Sequence, residues 1–174
     1  MRIAVVSDTH FPQRGPDLPR SCLDRLATAD LIVHAGDHCD LDALGRIRQI
    51  GPPVIAVHGN VDDAYVRAQL PRELEFDADG TRIGVVHDAG AAAGRLNRLR
   101  RQFPAAGVVI FGHSHIPLIH HGDGGFVILN PGSPTDRRRH AVHTMAELVI
   151  TPGAPARAAI IPLDGADGTP PQND

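Results

Sequence analysis

The chain has no Trp, no Lys and only two Cys among 174 residues, and aromatic residues make up just 3% of it. With so few large aromatic side chains, the core must be built from Val, Ile, Leu and Ala, which suit strands buried on both faces. Cys22 and Cys39 are too few for a disulfide framework, so a reducing setting is expected. No apolar run approaches the ~18 residues of a membrane span, and the N-terminus runs straight into a strand-like segment with no signal-peptide pattern. A cytoplasmic protein with no membrane partner follows as the expectation. Since Lys is absent, all 17 basic residues are Arg, set against 20 acidic ones for a net charge of −3. That balance argues against a nucleic-acid-coating surface. The shortage of aromatic stacking residues argues equally against extended single-strand binding.

One residue type is in excess. Eleven His is roughly three times what a soluble chain of this length ordinarily carries. Several sit beside Asp or Gly rather than in a tag-like run, which directs attention to metal or proton chemistry.

Apolar runs too short for helices occur at residues 3–6, 31–33, 53–57, 83–86 and 108–111. Between them lie helical patterns. Leu23 and Leu26 mark one, bounded by Pro16 and Pro19. Leu41, Leu44, Ile47 and Ile50 mark a second after Asp40, an N-cap residue type. Leu96, Leu99 and Phe103 mark a third, stopped by Pro104. Beyond Gly112 the pattern becomes strand-rich at 117–121, 125–129, 142–151 and 157–163, with turn residues at 122–125. An α/β fold is expected, as one domain over residues 1–163 followed by a disordered polar tail at 164–174.

Each of the five early strands ends in residues of metal-ligand type: Ser7-Asp8-Thr9-His10, His34-Ala35-Gly36-Asp37, His58-Gly59-Asn60, His87-Asp88 and Gly112-His113-Ser114-His115. Sites in α/β sheets form outside the carboxyl ends of strands, so these distant segments can converge. Carboxylate, carboxamide and imidazole together suit Mn²⁺, Fe²⁺, Co²⁺, Ni²⁺ or Zn²⁺. Seven such donors are too many for one tetrahedral ion but fit two ions sharing a carboxylate. Glycines 36, 59 and 112 are read as sharp backbone turns that aim the following side chain.

In order and spacing, Asp8-x-His10, Gly36-Asp37, Gly59-Asn60, His87 and Gly112-His113-x-His115 resemble the calcineurin-like metallophosphoesterases. Asn130-Pro131-Gly132-Ser133 narrows the resemblance to the small YfcE-like phosphodiesterase branch. The resemblance implies a four-layer α/β/β/α sandwich with two mixed sheets. It also implies a first metal held by Asp8, His10 and His115, a second by Asn60, His87 and His113, and Asp37 shared between them. Mn²⁺ is the first choice of cofactor. The activity implied is hydrolysis of a small phosphodiester by water held between the metals, with Asp37, Asn60 and His87 acting through the ions. A nuclease is a narrower form of that reading. Because a eukaryotic retromer subunit shares the fold, a non-catalytic interaction scaffold is the alternative.

Two positions depart from the family pattern. Many relatives carry His directly after Gly-Asn, where it can protonate the leaving oxygen, whereas this chain has Val61. His58 and His38 are the nearby substitutes for that general acid. Asp88 stands where relatives commonly have Gly, and is either an acceptor orienting His87 or a turn residue. His34 reads as a buried, hydrogen-bonded strand residue and Cys39 as passively buried. His120, His121, His140 and His143 read as surface or edge-strand residues. Arg137-Arg138-Arg139 reads as a solvated loop first and a phosphate contact second. The strand-rich last third offers sheet edges for a homodimer.

Overall fold

A computed structural model describes residues 1–14 and 17–163 of the chain. The expected bounding role of Pro16 and the expected disorder of the tail at 164–174 lie outside the described residues.

The apolar runs form strands and the residues between them form helices. The order is β1 (Arg2–Val6), α1 (Arg20–Ala27), β2 (Leu31–His34), α2 (Leu41–Arg48), β3 (Val54–Ala56), α3 (Ala64–Gln69), β4 (Glu73–Ala78), β5 (Thr81–Val86), α4 (Arg95–Gln102) and β6 (Val108–Ile110). There follow β7 (Leu118–His121), β8 (Val127–Asn130), β9 (His143–Val149) and β10 (Arg157–Leu163), with one 3-10 turn at Asp123–Gly125. Asp40 does cap α2, its carboxylate accepting from the Ala43 N–H at 2.9 Å.

The strands form two five-stranded mixed sheets. In the first, ordered β10-β9-β1-β2-β3, β1 to β3 run parallel and β9 and β10 antiparallel to their neighbours. In the second, ordered β4-β5-β6-β8-β7, β5, β6 and β8 run parallel, with β4 and β7 antiparallel at the edges.

Alternation along each strand sends side chains to opposite faces. Ile3, Val5, Val33, Val85, Ile110 and Leu129 meet in one core between the sheets. The intervening Ala4, Val6, Ile32 and Met145 face outward onto α1 and α2. On the far side, Val86, Val109, Phe111 and Ile128 face α4. The result is the expected α/β/β/α sandwich.

The five strand endings therefore come from two sheets, with β1, β2 and β3 on one and β5 and β6 on the other. Facing sheets bring the two sets of carboxyl ends to a common edge. β8 is parallel to β6, so its carboxyl end, leading into Asn130-Pro131-Gly132-Ser133, arrives there too. No helix among the described residues is long and apolar enough to cross a membrane.

Candidate metal centre

The seven residues expected as ligands converge. His10 Nε2 lies 3.2 Å from His115 Nε2. Asp8 Oδ1 is 3.3 Å from His115 Nε2 and 4.0 Å from His10 Nε2. Asp37 Oδ2 is 3.7 Å from His10 Nε2 on one side and 3.4 Å from His87 Nε2 on the other. Asn60 Oδ1 lies 3.1 Å from His87 Nε2 and 2.8 Å from His113 Nδ1. Asp8, His10, Asp37, His87 and His115 are buried, while His113 is half-buried and Asn60 exposed. The site therefore has a sealed floor and an open rim.

Backbone carbonyls set the orientation of the imidazoles. The His87 Nδ1–H donates to Ala35 O at 2.8 Å, and the Nδ1–H of His115 donates to Asp136 O. Both rings thus present Nε2 to the centre. The buried, hydrogen-bonded Asn130 holds the loop that carries two of the candidate ligands, His113 and His115. Its Nδ2 donates to Gly112 O at 2.8 Å and to Ser114 Oγ at 3.1 Å. Ser133 Oγ donates to Asp8 O at 2.7 Å, so the 130–133 turn supports the site from below.

Burial alone would lift the Asp37 carboxyl. The hydrogen bond and charge of His87, the Val61 N–H and the charge of His10 outweigh it and hold the group at about 2. Burial likewise depresses His87, but its hydrogen bond to Asp37 and the charges of Asp8 and Asp37 win, and its pKa rises. His10 is lowered, burial outweighing the pull of Asp37 and Asp8.

The donors fit divalent cations better than they fit one another. Asp8 Oδ1 is a buried carboxylate oxygen with no hydrogen-bond partner, which is costly unless a cation answers it. The Nε2 atoms of His10 and His115 point at each other beside it, an arrangement one proton cannot satisfy as well as one metal ion. Asp8, His10 and His115 form one cluster whose ligand atoms lie within 4.8 Å of one another, and Asp8, Asp37 and His87 form a second.

The backbone at the site is unusual. Asp8, His10, Asp37, His113 and His115 all have positive φ, between 44° and 67°, a region non-glycine residues seldom occupy. The glycine reading needs correction. Gly36 does turn with φ +95°, but Gly59 and Gly112 do not have positive φ; they are small because neighbours approach them. A Cβ at Gly59 would stand 2.1 Å from Asp37 Oδ1, and one at Gly112 1.9 Å from Ser7 Oγ.

Asp62 is a residue the sequence reading missed. It is buried, and its carboxylate accepts from Asp37 N at 3.2 Å, Gly59 N at 2.7 Å and Cys39 N at 2.7 Å. One side chain thereby ties the loop carrying Asp37 to the loop carrying Asn60. The signal was an Asp two residues beyond Asn60 in a turn.

Both substitutes for the general acid lie against backbone carbonyls. The His38 ring is fully buried, stacked on His34 at 3.7 Å, with Nε2 against Val57 O at 3.2 Å. The His58 Nδ1 lies 3.2 Å from Gly59 O. Val61 is 40% exposed, and its N–H donates to Asp37 Oδ1 at 2.8 Å, so the family's acid position carries an aliphatic side chain at the rim. Asp88 is a turn residue: its carboxylate accepts from Gly90 N at 2.7 Å, while His87 uses Ala35 O. Arg137 is spent on His140 O and Ala141 O, whereas the exposed Arg138 donates to His113 O at 3.2 Å.

The calcineurin-like phosphoesterase superfamily domain matches residues 1–152. The chain belongs to that superfamily. It is 37% identical over 137 residues to a probable metallophosphoesterase of Methanothermobacter thermautotrophicus, covering 78% of each chain. Solved structures share the fold. Vps29 of Entamoeba histolytica complexed with zinc aligns with a TM-score of 0.73 at 23% identity, over 93% of this chain and 99% of that one. An archaeal phosphodiesterase aligns with a TM-score of 0.71 at 19% identity, over 92% and 100%. This member of the superfamily thus has candidate metal-ligand clusters at the common edge of its sheets.

Proposed function

We propose that the chain is a phosphodiesterase that hydrolyses a small phosphodiester using two divalent cations, Mn²⁺ foremost. The observation that carries this reading is the meeting of donors from both sheets around the unpartnered Asp8 Oδ1. Asp8, His10 and His115 would hold one ion and Asn60, His87 and His113 the other. Asp37, which stands between His10 and His87, would be shared. When bound, such ions supply Lewis acidity that neutralises phosphoryl oxygens and acidifies water.

The protein's own part is positioning. Ala35 O and Asp136 O fix the rings of His87 and His115, and Asp62 locks the two loops that supply Asp37 and Asn60. With the aliphatic Val61 at the rim, the family's acid position offers no proton to the departing oxygen. A phenolate leaves readily without a proton and an alkoxide does not, so esters with good leaving groups are preferred.

The test is an assay of metal-stripped protein reconstituted with Mn²⁺, Ni²⁺ or Zn²⁺ against bis-aryl and aryl phosphate esters. Turnover should depend on added metal and disappear in Asp37→Ala. Full activity in that variant would overturn the reading. The likeness to Vps29, together with Val61, favours a second one: a metal-binding interaction scaffold. Stoichiometric metal uptake with no turnover of any ester would select it.

A further inference from the structure

The outer face of the second sheet has less cover than its width requires. Five strands about 4.8 Å apart span roughly 20 Å, and one helix is about 10–12 Å across. Among the described residues α4 is the one helix packed on this face, and a cavity of about 630 Å³ lies between its first turn and the β7–β8 edge. That volume falls in the range of small-molecule pockets. Leu96, Ile116, Leu118 and Ile128 supply an apolar lining.

The cavity borders the loop that carries His113 and His115. Ser114, one of its wall residues, lies between His113 and His115, and Ile116, 41% exposed, follows His115 directly. The polar part of the wall is suited to a ring. The Arg95 guanidinium lies 5.0 Å over the Phe111 ring, and its Nη2 donates to Gly90 O at 3.1 Å. A weakly hydrated guanidinium in an apolar wall is met favourably by the face of a π system and poorly by an alkyl chain. His120 adds an exposed imidazole to the same wall.

We propose that this cavity binds a planar aromatic group esterified to the substrate phosphate, the retained arm of the diester, while the phosphate sits among the metal ligands. The substrate class is therefore a phosphodiester with at least one ring-bearing arm. This rests on the phosphodiesterase reading, and the two can fail separately.

Bis(4-nitrophenyl) phosphate and methyl 4-nitrophenyl phosphate release the same phenolate and differ only in the retained arm. The diaryl ester should show the lower KM in the Mn²⁺-loaded protein. Ala92→Trp, which fills the cavity from an exposed turn, should reduce the diaryl-to-methyl ratio of kcat/KM about tenfold. Ile116→Glu at the mouth should do the same if the Trp variant does not fold. An unchanged ratio in a folded variant overturns the proposal. Binding supplies a readout without turnover. Phenylphosphonate, and not methylphosphonate, should shift the methyl NMR signals of Leu96, Ile116 and Leu118. Shifts with no hydrolysis of either ester would keep the cavity and remove the phosphodiesterase reading. Hydrolysis without shifts would do the reverse.

Discussion

The two sheets have the same number of strands but are covered unequally. The first is sealed outside by α1 and α2, with Cys22, Leu26, Ala43 and Ile47 packed against Ala4, Val6 and Ile32. Leu44 and Val66 extend that cover to α3 and the end of β3. Among the described residues the second has α4 as its one helix, and the strip beside it is the cavity next to the candidate metal centre. Their contributions to the centre also differ. Loops of the first sheet supply both carboxylates, Asp8 and Asp37, and the carboxamide of Asn60; the second supplies only imidazoles, His87, His113 and His115. One half is built for stability and hard oxygen donors, the other for access.

The largest test of this contrast is stability. Leu26 is fully buried beneath the first sheet, while Leu96 is half-buried at the cavity. Leu26→Ala should cost about 2–5 kcal/mol, and Leu96→Ala less than about 1.5 kcal/mol because it already borders open space. Urea denaturation of both variants checks this, and equal losses would break the contrast. Asp62→Ala should come next. It frees the loops carrying Asp37 and Asn60 and should weaken metal binding about 10–100-fold, measured by calorimetric titration with Mn²⁺. A smaller effect is expected from Val61→His, which places an imidazole at the exposed rim. Rates on alkyl-leaving esters should rise about tenfold, with little gain on aryl ones.

The smallest effect concerns the two imidazoles buried behind the first sheet. His34 is pushed well below 6.5, first by burial and then by the charges of His38 and His87, and His38 is lowered mainly by burial. The unfolded chain takes up these protons near pH 6.5 and the folded chain does not, so these two residues contribute a loss of metal-free stability as pH drops below 6.5, opposite in sign to the raised His87. In His34→Gln the slope between pH 7 and 5 should be shallower, measured by urea midpoints.

What the sequence disclosed follows from burial. β1, β2, β5 and β6 are buried on both faces and read as apolar runs. β4 was missed because it is an edge strand with a wet face, where Glu73, Glu75 and Asp77 alternate with Leu74, Phe76 and Ala78. α3 was missed because its six residues contain one buried side chain, Val66. The candidate ligands stood out in the sequence because each closes a strand with a metal-binding residue type. Strand endings alone did not show that two sheets supply them, since pairing between distant strands leaves no local trace. Asp62 escaped for a related reason: it works on backbone N–H groups, which every residue has. The cavity also left no signal, because it is what one short helix fails to cover.

The positive φ values of Asp8, His10, Asp37, His113 and His115 carry a consequence for how this protein can change. Each holds the chain in a conformation glycine would adopt freely, at a cost of order 1 kcal/mol. Glycine at any of them would relieve the backbone and remove a candidate metal donor in the same step. Selection for a more robust metal-free fold therefore runs directly against retention of the site.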